Sequence, residues 1–182
     1  MIFLFLLHIK PKMILSEFKR KNVKKRMEKE HKNSILNRQS SDAKVKSVLI
    51  LVDESIDERM SQIISNELSL IHSNIHVLTF KDKVEKELLA ENCITEKDFG
   101  LFGNFKNDTV KKSLYSKIDL LINYTVDNQY LNSLVVLSNA LFKVGFLDKN
   151  ILIYDLMIDV DKNDYNVFNG EVKKYLKILN KI

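Results

Sequence analysis

The chain has 182 residues, 45% of them hydrophobic, which suffices for one core and is too short for two full domains. Its single cysteine, Cys93, excludes an intramolecular disulfide framework and fits a reducing, cytoplasmic setting. The net charge of +5 is unevenly placed: residues 10–46 carry 13 Lys and Arg against 4 acids, and residues 47–182 carry 16 against 20. The basicity therefore belongs to a leader, and the remainder is mildly acidic.

Met1 to Ile9 are almost wholly apolar but fall well short of the ~20 residues a transmembrane helix needs. Neither a basic n-region nor a small-x-small cleavage site accompanies them, so a signal peptide is not expected. Residues 1–12 read as a start called too early, Met13 opening a more ordinary leader; a peripheral membrane anchor is the alternative. Residues 13–46 read as a basic helical leader, with Ile14, Phe18 and Met27 apolar, and a polar linker from Asn33 to Lys46. A single domain is expected over 47–182.

That domain opens on Ser47-Val-Leu-Ile-Leu-Val-Asp53, a continuous apolar run expected of a strand buried on both faces. Ser55-Ile-Asp-Glu58 reads as a capping box, ahead of a helix carrying Met60, Ile63, Ile64 and Leu68. Ile75 to Phe80 is a second strand. Asp82 is placed to cap a short helix through Val84 and Leu89, and the aromatic stretch Asp98 to Phe105 has room for a short strand. Asp108 is expected to cap a helix with Val110, Leu114 and Ile118. Asp119-Leu-Leu-Ile-Asn-Tyr124 is another buried strand, with a helix around Leu131, Leu134 and Val135 behind it. Phe142 to Phe146 and Ile151 to Val160 are strand candidates whose short link, Asp148-Lys-Asn150, favours an antiparallel hairpin. Asp164 opens a last helix with Phe168, Val172 and Leu176 on one stripe. This alternation predicts an α/β fold: a three-layer, Rossmann-like sheet of five or six strands, mostly parallel, with an antiparallel edge hairpin.

Chemistry is harder to read. The first βα turn, Val52 to Glu58, has no glycine, so neither a dinucleotide nor a P-loop phosphate cradle is present, and Asp53, Glu54, Asp57 and Glu58 would repel phosphate. Asp98-Phe-Gly100 stands without the other kinase motifs. Gly100 to Lys106, just before a helix start, offers Asn104, Lys106 and a helix dipole to an anion, or simply forms a turn whose phenylalanines cover the core. His72 and His76 have metal-ligand spacing but straddle a helix end and a strand. Asp159-Val-Asp-Lys-Asn163 lacks the glycine and terminal glutamate of a calcium loop. No metal or other cofactor is implied. Lys19, Arg20, Lys21, Lys24, Lys25 and Arg26 offer contacts to RNA or anionic lipid, or form a solvated tail; no aromatic stacking set is interleaved with them.

The segments Leu49-Ile-Leu-Val-Asp-Glu-Ser55, Phe80-Lys-Asp-Lys83, Asp119 to Tyr124, Phe142-Lys-Val-Gly-Phe146 and Lys174 to Ile182 resemble a family of small uncharacterised bacterial proteins, a domain of unknown function. Asp119 to Tyr124 followed by a helix and Phe142 to Phe146 is also similar to the N-terminal half of two-domain sugar transferases such as heptosyltransferases, which implies fold more than activity. Two functions stay open: a non-catalytic binding or interaction domain with an unknown protein partner, or a small-ligand site, catalytic or not. Parallel sheets hold ligands outside the carboxyl ends of their strands. The edge expected to carry a site therefore holds Asp53, Glu54, Lys81, Asp82, Asn123 and Tyr124.

Overall fold

The computed structural model describes residues 11–36, 43–56, 59–70, 74–82, 91–148 and 152–182. The expected helix through Val84 and Leu89 and the side chains of Asp57, Glu58 and His72 lie outside these residues.

Six strands form one sheet: β1 (Val48–Asp53), β2 (Ile75–Phe80), β3 (Cys93–Ile94), β4 (Leu120–Asn123), β5 (Phe142–Phe146) and β6 (Leu156–Ile158). Their order is β3-β2-β1-β4-β5-β6, and every neighbouring pair runs parallel. The chain winds outward from β1 to β3, then returns to place β4 on the other side of β1. Among the described residues, five α-helices flank the sheet: α1 (Pro11–Leu36), α2 (Met60–Leu68), α3 (Asp108–Tyr115), α4 (Gln129–Leu137) and α5 (Tyr165–Ile178).

Side-chain alternation along the central strands divides the core in two. Leu49, Leu51 and Leu121 face a layer built by α1, α3 and α4, through Val23, Leu114, Leu131 and Leu134. Val48, Ile50, Val52 and Ile122 face the other layer, where α2 supplies Met60 and Ile64, and α5 supplies Phe168 and Val172. A Rossmann-like, three-layer α/β sheet is what results. Val52 and Leu121, 4% and 0% exposed, sit on the two innermost strands, as the unbroken apolar runs predict.

The antiparallel edge hairpin is not formed. β6 pairs parallel with β5, Val144 facing Leu156 and Phe146 facing Ile158. The strand expected over 151–160 shrinks to Leu156–Ile158, because Ile153 and Tyr154 instead enter the core. Asp155 reaches the start of β5, where its backbone N–H donates to Lys143 O and its carboxylate accepts from Lys143 N. From there β6 runs in the same direction as β5.

Local punctuation differs from expectation in two places. α2 begins at Met60 without a side-chain cap, and the Ser55 hydroxyl donates to Asp53 Oδ1 rather than capping that helix. α3 is capped by Asn107, whose Oδ1 accepts from Val110 N, with Asp108 one position inside. Asp164 caps α5 as its position implies. At the far end of α5, Asn180 takes φ 54°, and Lys181 N and Asn180 N donate to Leu176 O and Lys177 O. This left-handed stop turns the chain so that Lys181 O receives Val45 N.

The helix set apart as a leader packs on the sheet domain. Val23 is fully buried and Met27 nearly so, against α4. Ser16 Oγ donates to Glu96, Lys19 Nζ donates to Glu96 O, and Asn22 Nδ2 donates to Leu101 O. Ile14 and Phe18, the apolar residues that suggested a helical stripe, are exposed. No helix among the described residues is long and apolar enough to cross a membrane.

Candidate functional site

The winding direction reverses between β1 and β4. Connections leave these two neighbours toward opposite sides of the sheet, which leaves a crevice beyond their carboxyl ends. A cleft of about 430 Å³ opens there. The ends of β1 and β2 contribute Asp53 and Asp82, the β4–α4 loop contributes Thr125, the first turn of α4 contributes Gln129, and α1 contributes Arg20. Lys162 and Tyr165 close the side nearest α5. Asp127 and Lys162 approach each other to 3.6 Å across the solvent-exposed rim, where an ion pair contributes little.

Of the residues expected at this edge, Asp53 reaches the cleft, with Oδ1 engaged by the N–H and hydroxyl of Ser55. Asp82 reaches it too. Glu54 is exposed, and its N–H donates to Phe80 O. Asn123 lies opposite Leu51 in the register, so it shares the sheet end with Asp53, but its side chain is fully buried. Asn123 Nδ2 donates to Asn132 Oδ1 at 3.0 Å and to Tyr154 Oη at 2.7 Å, while its Oδ1 accepts from Thr125 N and Oγ1. Every polar position of the amide is therefore used. Asn123 thereby ties the start of the β4–α4 loop to Asn132 and Tyr154. Tyr124 borders the cleft, yet its phenol turns into the opposite core layer and donates to Asn169 Oδ1 at 2.6 Å.

Asn104 and Lys106 stand elsewhere. Phe99 and Phe105 form an antiparallel bridge, closed by Gly100 N to Asn104 O and Gly103 N to Gly100 O. Both phenylalanines are buried, and the turn between them lies against α1. Asn104 and Lys106 thus belong to a small hairpin away from the β1–β4 crevice. Cys93 is buried on β3, and that burial raises its thiol above the ordinary range. His76 is exposed on β2, and no cluster of three or more His, Cys, Asp or Glu suited to a metal occurs among the described residues.

Thr125, Gln129 and Lys162 are not singled out by sequence, and Arg20 is read there as a contact to RNA or anionic lipid and not as part of this cleft. Thr125 lies two residues past the end of β4 and Gln129 opens the helix that follows, so the rule that points to Asp53 could also have found them. The basic run marks Arg20 but says nothing of this cleft, to which a helix far away in sequence delivers it.

Three buried phenols surround this region. Desolvation raises Tyr124 and Tyr154 well above the ordinary range, although the hydrogen bonds with Asn169 and Asn123 partly oppose it. Tyr130, stacked on Phe80 at 5.3 Å, is pushed up to about 12, first by desolvation and then by the Glu96 carboxylate. A raised native value means that the unfolded chain loses its phenolic protons first. Stability is consequently unaffected by these groups below pH ~10 and falls as pH rises past it, by up to about 1.4 kcal/mol per pH unit for each phenol. Urea melts between pH 9 and pH 12 should show this fall (~10 being the ordinary phenol value). Tyr124→Phe should reduce the slope by one proton, and an unchanged slope would place that phenol in water.

The fold and crevice define a doubly wound α/β protein with the strand order of dinucleotide-binding sheets and without their glycine-rich phosphate turn. Residues 19–179 match the model of a family of unknown function, DUF6913, and the chain belongs to that family. No curated protein and no solved structure matches it.

Proposed function

We propose that this protein binds a small hydroxyl-rich ligand, of monosaccharide or nucleoside size, in the crevice between β1 and β4. The observation that carries this reading is the coincidence of the topological switch with a cleft of about 430 Å³, within the usual range of small-molecule sites, roughly 300–1,000 Å³. A concave, polar edge favours a small ligand over a flat protein-docking surface at this place.

The lining sets the ligand class. Asp53 and Asp82 accept from hydroxyl or amine groups, while Arg20 and Gln129 supply donors. The aromatic ring of the half-buried Tyr165 suits the apolar side of a sugar or base. The acids, and a first turn that has no glycine to let backbone approach phosphate, disfavour a pyrophosphate.

Thermal-shift screening against nucleosides and monosaccharides tests the reading, because a ligand that prefers the native state raises the melting temperature. Saturation at ~100 times Kd adds about 2.7 kcal/mol. Asp82→Ala and Gln129→Ala, both at the rim, should abolish the shift while leaving the unliganded melting temperature within a degree or two (surface changes being worth about ±0.5 kcal/mol). The proposal fails if no compound of these classes shifts the transition, or if the shift survives both substitutions.

A further inference from the structure

A second surface, on the far side of α1 from Val23, has a composition that neither the core nor the crevice explains. Positions three and four apart align on one helical face, and along α1 that face reads Ile14, Leu15, Phe18, Asn22, Lys25, Arg26 and Lys29. Its first half is apolar and open to solvent: Ile14 is 55% exposed, Leu15 52% and Phe18 48%. Its second half is basic, and Arg26 has only a long 3.8 Å approach to Glu30.

The hairpin at 99–105 adds to the same face. Asn22 Nδ2 donates to Leu101 O at 2.8 Å, one turn along from Phe18. Gly103, at φ 78°, lies so close to α1 that a Cβ would stand 2.6 Å from Asn22 O. The turn is thereby clamped on the helix and holds its apolar tip outward, with Phe102 78% exposed and Leu101 42%. Phe102 borders a shallow depression of about 300 Å³ whose other lining residues are Asn22, Lys25, Arg26, Lys29 and the single acid Glu30. Five large apolar side chains from two distant segments are thus fixed beside a basic patch.

We infer that this face docks on an anionic lipid surface. Ile14, Leu15, Phe18, Leu101 and Phe102 enter the headgroup boundary, while Lys25, Arg26 and Lys29 meet lipid phosphates and carboxylates. Apolar insertion and a basic patch are the two contributions that together hold a peripheral protein on a bilayer. The charge fits that occupant: the segment 10–46 carries 13 basic residues against 4 acids, whereas a neutral bilayer or an apolar protein groove would leave the lysines without a counter-charge. Single-stranded RNA would use Phe102 and the lysines but has no use for Ile14, Leu15 and Leu101.

The full-length chain is sedimented with phosphatidylserine–phosphatidylcholine vesicles, with phosphatidylcholine vesicles alone, and with added salt. Binding is expected to the anionic vesicles only and to weaken as salt rises. Lys25→Gln and Lys29→Gln should each weaken it about fivefold, and Phe102→Ser about tenfold. The melting temperatures of these variants, all at exposed positions, should match the parent and confirm that each folds. Vesicle binding that survives all three substitutions overturns the inference and assigns the contact to another segment. Absence of binding to anionic vesicles overturns it too, whether or not a single-stranded oligonucleotide binds. A change of oligomeric state in Phe102→Ser without vesicle binding overturns it in favour of a second copy of the chain.

Discussion

Leu121→Ala is expected to lower stability by roughly 2–5 kcal/mol, the range for removing a large buried aliphatic side chain. Leu121 is fully buried on β4, which lies between β1 and β5. It faces the layer formed by α1, α3 and α4. The strand backbone is held on both sides, opposite Leu49 and Lys143, so neighbouring strands cannot move in to close the void. A cost at the upper end of the range is therefore expected. Urea unfolding checks this, with the midpoint falling at an unchanged slope. A loss below about 0.5 kcal/mol, typical of surface sites, would place β4 at the periphery and contradict the sheet order.

The central strands were legible because burial on both faces leaves a continuous apolar run, and β1 and β4 carry such runs. Legibility failed where an element owes its place to distant partners. β3 is two residues long, too short for any period, and exists because Thr79 and Phe80 present a free strand edge. Among its described side chains, α1 buries only Val23 and Met27 completely enough to join the core, so its basic majority hides its attachment. Two buried positions four apart do form a stripe, but Ile14 and Phe18 compete with it in the sequence, and only the presence of α4 decides between them.

The site shows the same division. Strand-end logic named Asp53 and Asp82, and both residues line the cleft. It treated Asn123 and Tyr124 as open loop ends, whereas both side chains still lie within the packed layers. A strand between two neighbours stays covered to its last residue, so the first accessible group after β4 comes in the loop that follows.

The direction of β6 turns on Gly145, and replacing that residue should be among the most damaging single changes in the chain. A Cβ at position 145 would stand 2.4 Å from Cζ of Tyr154 and 2.6 and 2.7 Å from its Cε atoms. The ring thus lies directly over the glycine, which is what lets residues 152–155 cross the sheet face before β6 begins. Tyr154 has little freedom to withdraw. Asn123 Nδ2 donates to its oxygen at 2.7 Å, and the phenol donates to Asn132 Oδ1 at 3.2 Å. Moving the ring would leave buried amide groups without partners, at about 1–3 kcal/mol for each orphaned group. Gly145→Ala is accordingly expected to cost about 3 kcal/mol or more, at or above the top of the ordinary overpacking range. In a Tyr154→Ala background the obstacle is gone, and the same substitution should cost less than about 0.5 kcal/mol, since alanine is otherwise tolerated in a strand at least as well as glycine. The resulting coupling of about 2–3 kcal/mol lies within what contacting core residues show. Equal costs in the two backgrounds would mean that the ring does not sit on Gly145, and the crossover that sets β6 parallel to β5 would lose its physical basis.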